Sequence, residues 1–156
     1  MNEDYRKKIS PDKILERINK ENQGKLTVFL GAAAGVGKTY TMLETAHERM
    51  AEDIDVIIGW IETHGRAETE KLVENLPIIS PKKMKYKEKY LEEMDIDSII
   101  EKKPQLVLVD ELAHTNIPGS RHIRRFQDVE ELLKKGIDVY TTLNIQHIES
   151  LNDIVA

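Results

Sequence analysis

The stretch GAAAGVGKTY, residues 31–40, ends in a lysine and a hydroxyl placed directly after a glycine-rich turn. Those residue types in that order can hold the phosphates of a nucleotide. Backbone N–H groups of such a turn point inward at phosphate oxygens, and the following helix presents its positive end. The lysine then meets the outer phosphates, and the hydroxyl faces a magnesium ion. The pattern is G-x-x-x-x-G-K-[ST]. Counting back from Gly37, Lys38 and Thr39, the first glycine belongs at position 32. The chain has Ala32 there, and Gly31 stands one place early. Alanine carries the smallest Cβ and obstructs little while its φ stays negative, so the exchange is tolerated. The expected nucleotide-binding residues are Gly31, Ala32, Ala33, Ala34, Gly35, Val36, Gly37, Lys38, Thr39 and Tyr40.

A second stretch, LVLVDE at 106–111, delivers two carboxylates at the end of an apolar run. In a Mg²⁺-nucleotide site the first, Asp110, holds the metal together with Thr39, usually through water. The second, Glu111, polarises the attacking water. Three polar clusters follow other apolar runs and supply candidates for sensing a phosphate: His64 and Arg66; His114, Thr115, Asn116 and Arg121; Thr142 and Asn144. Each is also compatible with an ordinary solvated loop. Arg66, Arg121, Arg124 and Arg125 are the arginines available to meet charge at the γ-phosphate, all on loops or a helix start. His64, His114, His122 and His147 lack metal-ligand spacing, which argues against zinc. Ser150 has no nucleophile-elbow context. Trp60 and Phe126 read as core.

These residues need a scaffold, and the hydrophobic pattern supplies one. Leu26–Leu30, Ile54–Ile61, Leu106–Val109 and Ile137–Leu143 are short apolar runs that read as buried strands. Between them lie helical patterns. The first follows the glycine-rich turn, with Leu43, Ala46 and Met50 on one face. The second covers 66–76 and stops at Pro77, and the third covers 94–102, before Pro104. The fourth covers 124–135, with Phe126, Val129, Leu132 and Leu133 inward and Glu130–Lys134 and Glu131–Lys135 spaced for ion pairs. Gly136 suits its end. Residues 82–91 alternate basic and apolar, which fits an edge strand or hairpin with solvated charges. Ser10-Pro11 starts an N-terminal helix after a flexible tail at 1–10, and 146–153 form a last helix. Strand–helix alternation predicts an α/β fold, a mostly parallel sheet covered on both faces.

Composition sets bounds. A chain of 156 residues is one ordinary domain, here 1–156. Apolar residues at 40% and charged residues at 33% make it globular. A formal net charge of -5 argues against nucleic acid as the main partner. With no cysteine, disulfides, thiolate metal sites and cysteine nucleophiles are excluded, and a reducing compartment fits. No apolar run reaches the ~20 residues of a membrane span, and the N-terminus lacks a signal-peptide core. The chain is expected to be cytoplasmic, with no direct membrane insertion, and it could be the head of a larger membrane protein.

GAAAGVGKTY, IETHGRAETE, LVLVDELAHTN, PGSRH, FQDVEELL and GIDVYTTLNIQHIESLND resemble, in order and spacing, the N-terminal domain of the KdpD family of sensor histidine kinases, which control high-affinity potassium uptake. Alanine at position 32 is usual in that family. The resemblance covers Pro11 to the last residue. It implies a regulatory ATP-binding domain, with Mg²⁺, at the cytoplasmic front of a membrane-bound kinase whose other domains are its partners. It carries over no residues for histidine phosphorylation. A glutamate after the metal-binding aspartate further implies a P-loop NTPase-like three-layer fold of core strand order 1-4-3-2. Leu26–Leu30 then lies beside Ile137–Leu143, and the Asp110 strand comes next. One sheet edge is then open, and the N-terminal helix or a second copy of the chain is the candidate cover. A stand-alone ATPase, a small-molecule kinase and an interaction domain with a relic loop are the competing classes.

Overall fold

A computed structural model describes residues 23–31 and 37–145. Ala32, Ala33, Ala34, Gly35 and Val36 lie outside the described residues, as do the helices expected from Ser10 and over 146–153.

Six strands and four helices make up the described residues. In chain order they are β1 (Leu26–Gly31), α1 (Lys38–Ala51), β2 (Val56–Trp60), α2 (Ala67–Val73), β3 (Lys82–Tyr86), β4 (Lys89–Glu93), α3 (Ile96–Lys102), β5 (Leu106–Val109), α4 (Arg125–Lys134) and β6 (Asp138–Asn144). Four of the strands form a parallel sheet in the order β1-β6-β5-β2. β3 and β4 form a separate antiparallel hairpin.

β5 shows why the runs are strands. All four of its residues are buried, because helices cover both faces of the sheet. Leu106 and Leu108 face one layer, with Met42, Leu43 and Ala46 of α1, Val56 and Ile58 of β2 and Leu76 beyond α2. Val107 and Val109 face the other, with Ile96 and Ile99 of α3 and Phe126, Val129 and Leu132 of α4. The period of two along the strand divides the core into two clusters, one on each side. Pro77–Ile79 runs along the outer edge of β2. Ile58 donates to the Pro77 carbonyl at 2.8 Å, and Ile79 donates to the Ile58 carbonyl at 2.9 Å.

Gly37 precedes α1, and its φ of 72° is the left-handed conformation that glycine adopts without penalty. The residue before the lysine therefore turns the chain from loop into helix. One local expectation is corrected on α4. Glu131 pairs with Arg121 and His122, which approach from the preceding loop, rather than with Lys135. Glu130 and Lys134 form no ion pair among the described residues.

Candidate functional site

The start of α1 and the carboxyl ends of β2, β5 and β6 converge on Asp110, the residue directly after β5. Its carboxylate is buried, with the residue 1% exposed. Oδ2 accepts from the Thr39 hydroxyl at 3.1 Å and from the Glu62 backbone N–H at 3.0 Å. Oδ1 accepts from the Glu111 N–H at 3.2 Å and from the Thr142 hydroxyl. Each donor comes from a different part of the fold: the first turn of α1, the segment after β2, the residue following Asp110, and β6. All four are neutral. Among the described residues no lysine, arginine or histidine side chain pairs with this carboxylate.

Beside it opens a cleft of about 210 Å³, lined by Lys38, Thr39, His64, Asp110, Glu111 and His114, with Thr142 and Asn144 at the β6 side. Lys38 is half-buried, and its stem lies across Gly31. A Cβ on Gly31 would come within 2.7 Å of Lys38 Cδ. The glycine that stands one place early in the motif therefore makes room for the lysine. Asn144, paired in register with Gly31, has a buried amide oxygen that no described residue satisfies. Glu111 sits at φ 61° and is half-buried. Burial raises its carboxyl above the ordinary range, and the neighbouring charges of Asp110 and Glu62 push the same way. A second hollow of about 170 Å³ shares Thr39 and His64 with the first and is walled by Tyr40, Glu62 and Arg66.

The other expected residues stand apart. Asn116 is buried and donates to Asp128 at 2.9 Å and to the His122 carbonyl at 3.0 Å. Arg121 pairs with Asp97 and Glu131 on the surface. Thr115 is exposed and forms a bridge with Arg124. Arg125, read from the sequence as an arginine on a helix start, is fully buried. Its guanidinium donates to Glu93 at 3.1 Å and to the Asp110 carbonyl at 3.0 Å, and it lies over the Trp60 ring at 4.8 Å. It is not free to reach a phosphate.

Glu93, Arg125 and Asp128 form a buried charged cluster that the motifs do not reveal. A signal for two of them was present. Arg125 and Asp128 occupy the same helical stripe as Val129 and Leu132. Glu93 left none, since it ends a strand whose other residues are exposed.

A family model for KdpD, described as the osmosensitive K+ channel His kinase sensor domain, matches residues 22–156. The chain belongs to that family. It is 49% identical over 146 residues to the sensor protein KdpD of Escherichia coli (strain K12), covering 94% of this chain and 16% of that protein. Against the sensor protein KdpD of Clostridium acetobutylicum it is 53% identical over 150 residues, covering 94% of this chain and 17% of the relative. A putative sensor protein KdpD of Synechocystis is 53% identical over 133 residues, 85% of this chain and 36% of that protein. The chain thus spans about a sixth of the length of the first two KdpD relatives. Among the described residues no helix is long and apolar enough to cross a membrane.

Proposed function

We propose that this chain is the regulatory Mg-ATP-binding domain of a KdpD-type sensor histidine kinase responsive to potassium or osmotic state. In this reading it has a P-loop nucleotide-binding fold and lies on the cytoplasmic side of the membrane. The observation that carries the reading is the uncompensated charge of Asp110. A carboxylate this deeply buried is expensive unless a positive charge meets it. Here four neutral donors hold it in place, and its oxygen lies 3.1 Å from the Thr39 hydroxyl at the mouth of a cleft that also presents Lys38.

The residues fit Mg²⁺. Magnesium takes hard oxygen ligands and is usually held by one or two carboxylates plus substrate phosphates and water. Thr39 and Asp110 are such donors. Among the described residues no group of three or more histidine or carboxylate side chains could hold a metal alone. That favours a cation that arrives with its phosphates. When bound, the ion would neutralise charge on the phosphate oxygens. Lys38 would contact the outer phosphates, Thr142 and Glu62 N–H would keep Asp110 oriented, and Glu111 would accept a hydrogen bond from water at the cleft wall.

Turnover is expected to be slow. Arg125 is committed to Glu93, and Arg121 to Asp97 and Glu131. A positioned arginine contributes about 10³–10⁵ in rate in this chemistry. Arg124 donates to the Ala113 carbonyl at 3.3 Å, and Arg66, which walls the second hollow, is exposed. A domain that keeps its ligand suits regulation, since occupancy is the signal. Calorimetric titration with Mg-ATP and steady-state phosphate release test the reading together. Saturable binding with release far below the ~10 s⁻¹ of typical enzymes supports it. Release at that typical rate makes the chain an ATPase in its own right, and absence of binding leaves a relic loop.

A further inference from the structure

The buried cluster touches the cleft at one end and, at the other, a hairpin whose β4 strand is otherwise exposed. Glu93 closes β4, and the other four residues of that strand are exposed. Its Oε1 accepts from His114 Nε2 at 2.7 Å and from the Ile117 N–H at 2.9 Å. Its Oε2 accepts from Arg125 at 3.1 Å. Arg125 in turn donates to the Asp110 carbonyl, which belongs to the peptide joining Asp110 to Glu111. His114 lines the cleft wall. One carboxylate therefore connects the hairpin to an imidazole in the cleft. Through Arg125 it also connects the hairpin to the backbone that carries both site carboxylates.

Stability alone is a poor reason for this arrangement. Apolar side chains of similar volume hold a core as well as a buried ion pair does. As a link, the arrangement has definite chemistry. An ionised carboxylate only accepts, so His114 must carry a proton on Nε2 to bond Glu93. A group bound in the cleft that draws on the other ring nitrogen, or shifts the ring, alters that bond. The hairpin can carry the change outward. Tyr90 is 70% exposed, and β3 meets the body through the soft contact of Met84 with Ser120 at 3.6 Å.

Resting on the nucleotide reading above, we propose that Glu93 is a positioning residue that couples occupancy of the cleft to the β3–β4 hairpin through His114 and Arg125. The test is amide hydrogen exchange on the whole chain, with and without saturating Mg²⁺ and a non-hydrolysable ATP analogue, in the parent and in Glu93→Gln. Binding is followed in parallel by calorimetry. In the parent the ligand changes exchange in Lys82–Glu93 by about fivefold or more, the low end of ordinary coupling. In Glu93→Gln the ligand still binds and this ligand-dependent difference disappears. A merely structural Glu93 would raise exchange equally in both states and preserve the difference. Should Glu93→Gln fail to fold, His114→Ala cuts the link from the cleft side while keeping the Glu93–Arg125 pair. At saturation it must shrink the difference, since only the Arg125 route then remains. Unchanged hairpin exchange in a saturated parent overturns the coupling, as does a difference that survives Glu93→Gln or is undiminished in His114→Ala. Absence of binding in the parent overturns the nucleotide reading first, and the coupling with it.

Discussion

Two carboxylates near the carboxyl end of β5 are almost equally buried, Asp110 at 1% and Glu93 at 2% exposure, yet their surroundings are opposite. Glu93 is met by the Arg125 guanidinium and the His114 imidazole. Although burial works against its charge, those partners and the Ile117 N–H bring its carboxyl below the ordinary range. Among the described residues, Asp110 is met by two hydroxyls and two backbone N–H groups alone. Burial therefore does not distinguish a structural carboxylate from a binding one. What distinguishes them is whether the protein supplies the counter-charge itself. Glu93 has its counter-charge within the chain, whereas no described lysine, arginine or histidine pairs with Asp110, the carboxylate for which we propose an external cation.

The comparison can be broken most severely at Arg125. Arg125→Ala leaves Glu93 buried with no strong cation, and such losses cost about 3–5 kcal/mol. Urea unfolding should show that drop. A loss below about 1 kcal/mol would mean that Glu93 is not held by this pair. On the other side, Lys38→Ala should leave the unfolding midpoint nearly unchanged and weaken Mg-ATP by about 100-fold, or about 2.7 kcal/mol, as read by calorimetry. A folded Lys38→Ala chain with parental affinity would remove the lysine from the site. Smaller again is Glu111→Gln, which should slow phosphate release about tenfold or more, the low side of general-base effects, while affinity persists.

The subtlest effect is the pH dependence, and its sign differs between two carboxylates. Glu93 is depressed in the fold, so its stabilisation is present above the unfolded carboxylate pKa and fades as pH falls through the folded value. Glu93→Gln should therefore cost most at neutral pH and least in acid. Glu111 is raised, so its ionised form burdens the fold above the folded value, and protonation relieves that burden as pH falls. Glu111→Gln should be more stable than the parent at neutral pH, and the advantage should vanish in acid. Stability curves of the two variants that run parallel with pH would erase the distinction.

Much of the frame was legible in the residues. Leu106–Val109 reads as a buried strand because four consecutive apolar residues, two of them β-branched, leave no solvent face. Residues 82–91 read as an edge strand or hairpin because basic and apolar residues alternate there, and the structure has a hairpin of Lys82–Tyr86 and Lys89–Glu93. The candidate site residues Lys38, Thr39, Asp110 and Glu111 were picked out by residue type and order, and the structure brings all four to one cleft. Which polar residues join them was not. Asn116 and Arg121 lie in the same loop region as His114, yet that loop turns Asn116 onto Asp128 and Arg121 onto Asp97 and Glu131. Side-chain direction within a loop is a tertiary fact with no period to read. Glu93 was hidden for a related reason. Nothing in KYLEE separates it from Glu92, and only the arrival of α4 with Arg125 makes it a buried anchor. The pairing of strands rested on an argument about fold class, because no run of residues encodes its neighbour.

The central claim is that Asp110 and Thr39 await a cation carried by a nucleotide. It is tested most directly by calorimetric titration of the chain with ATP, once in excess Mg²⁺ and once with the ion removed by chelator. The account predicts a single saturating site in Mg²⁺ and an affinity at least about tenfold weaker without it, a difference of about 1.4 kcal/mol. Equal affinity in the two titrations, or no saturable heat with Mg-ATP, would contradict it.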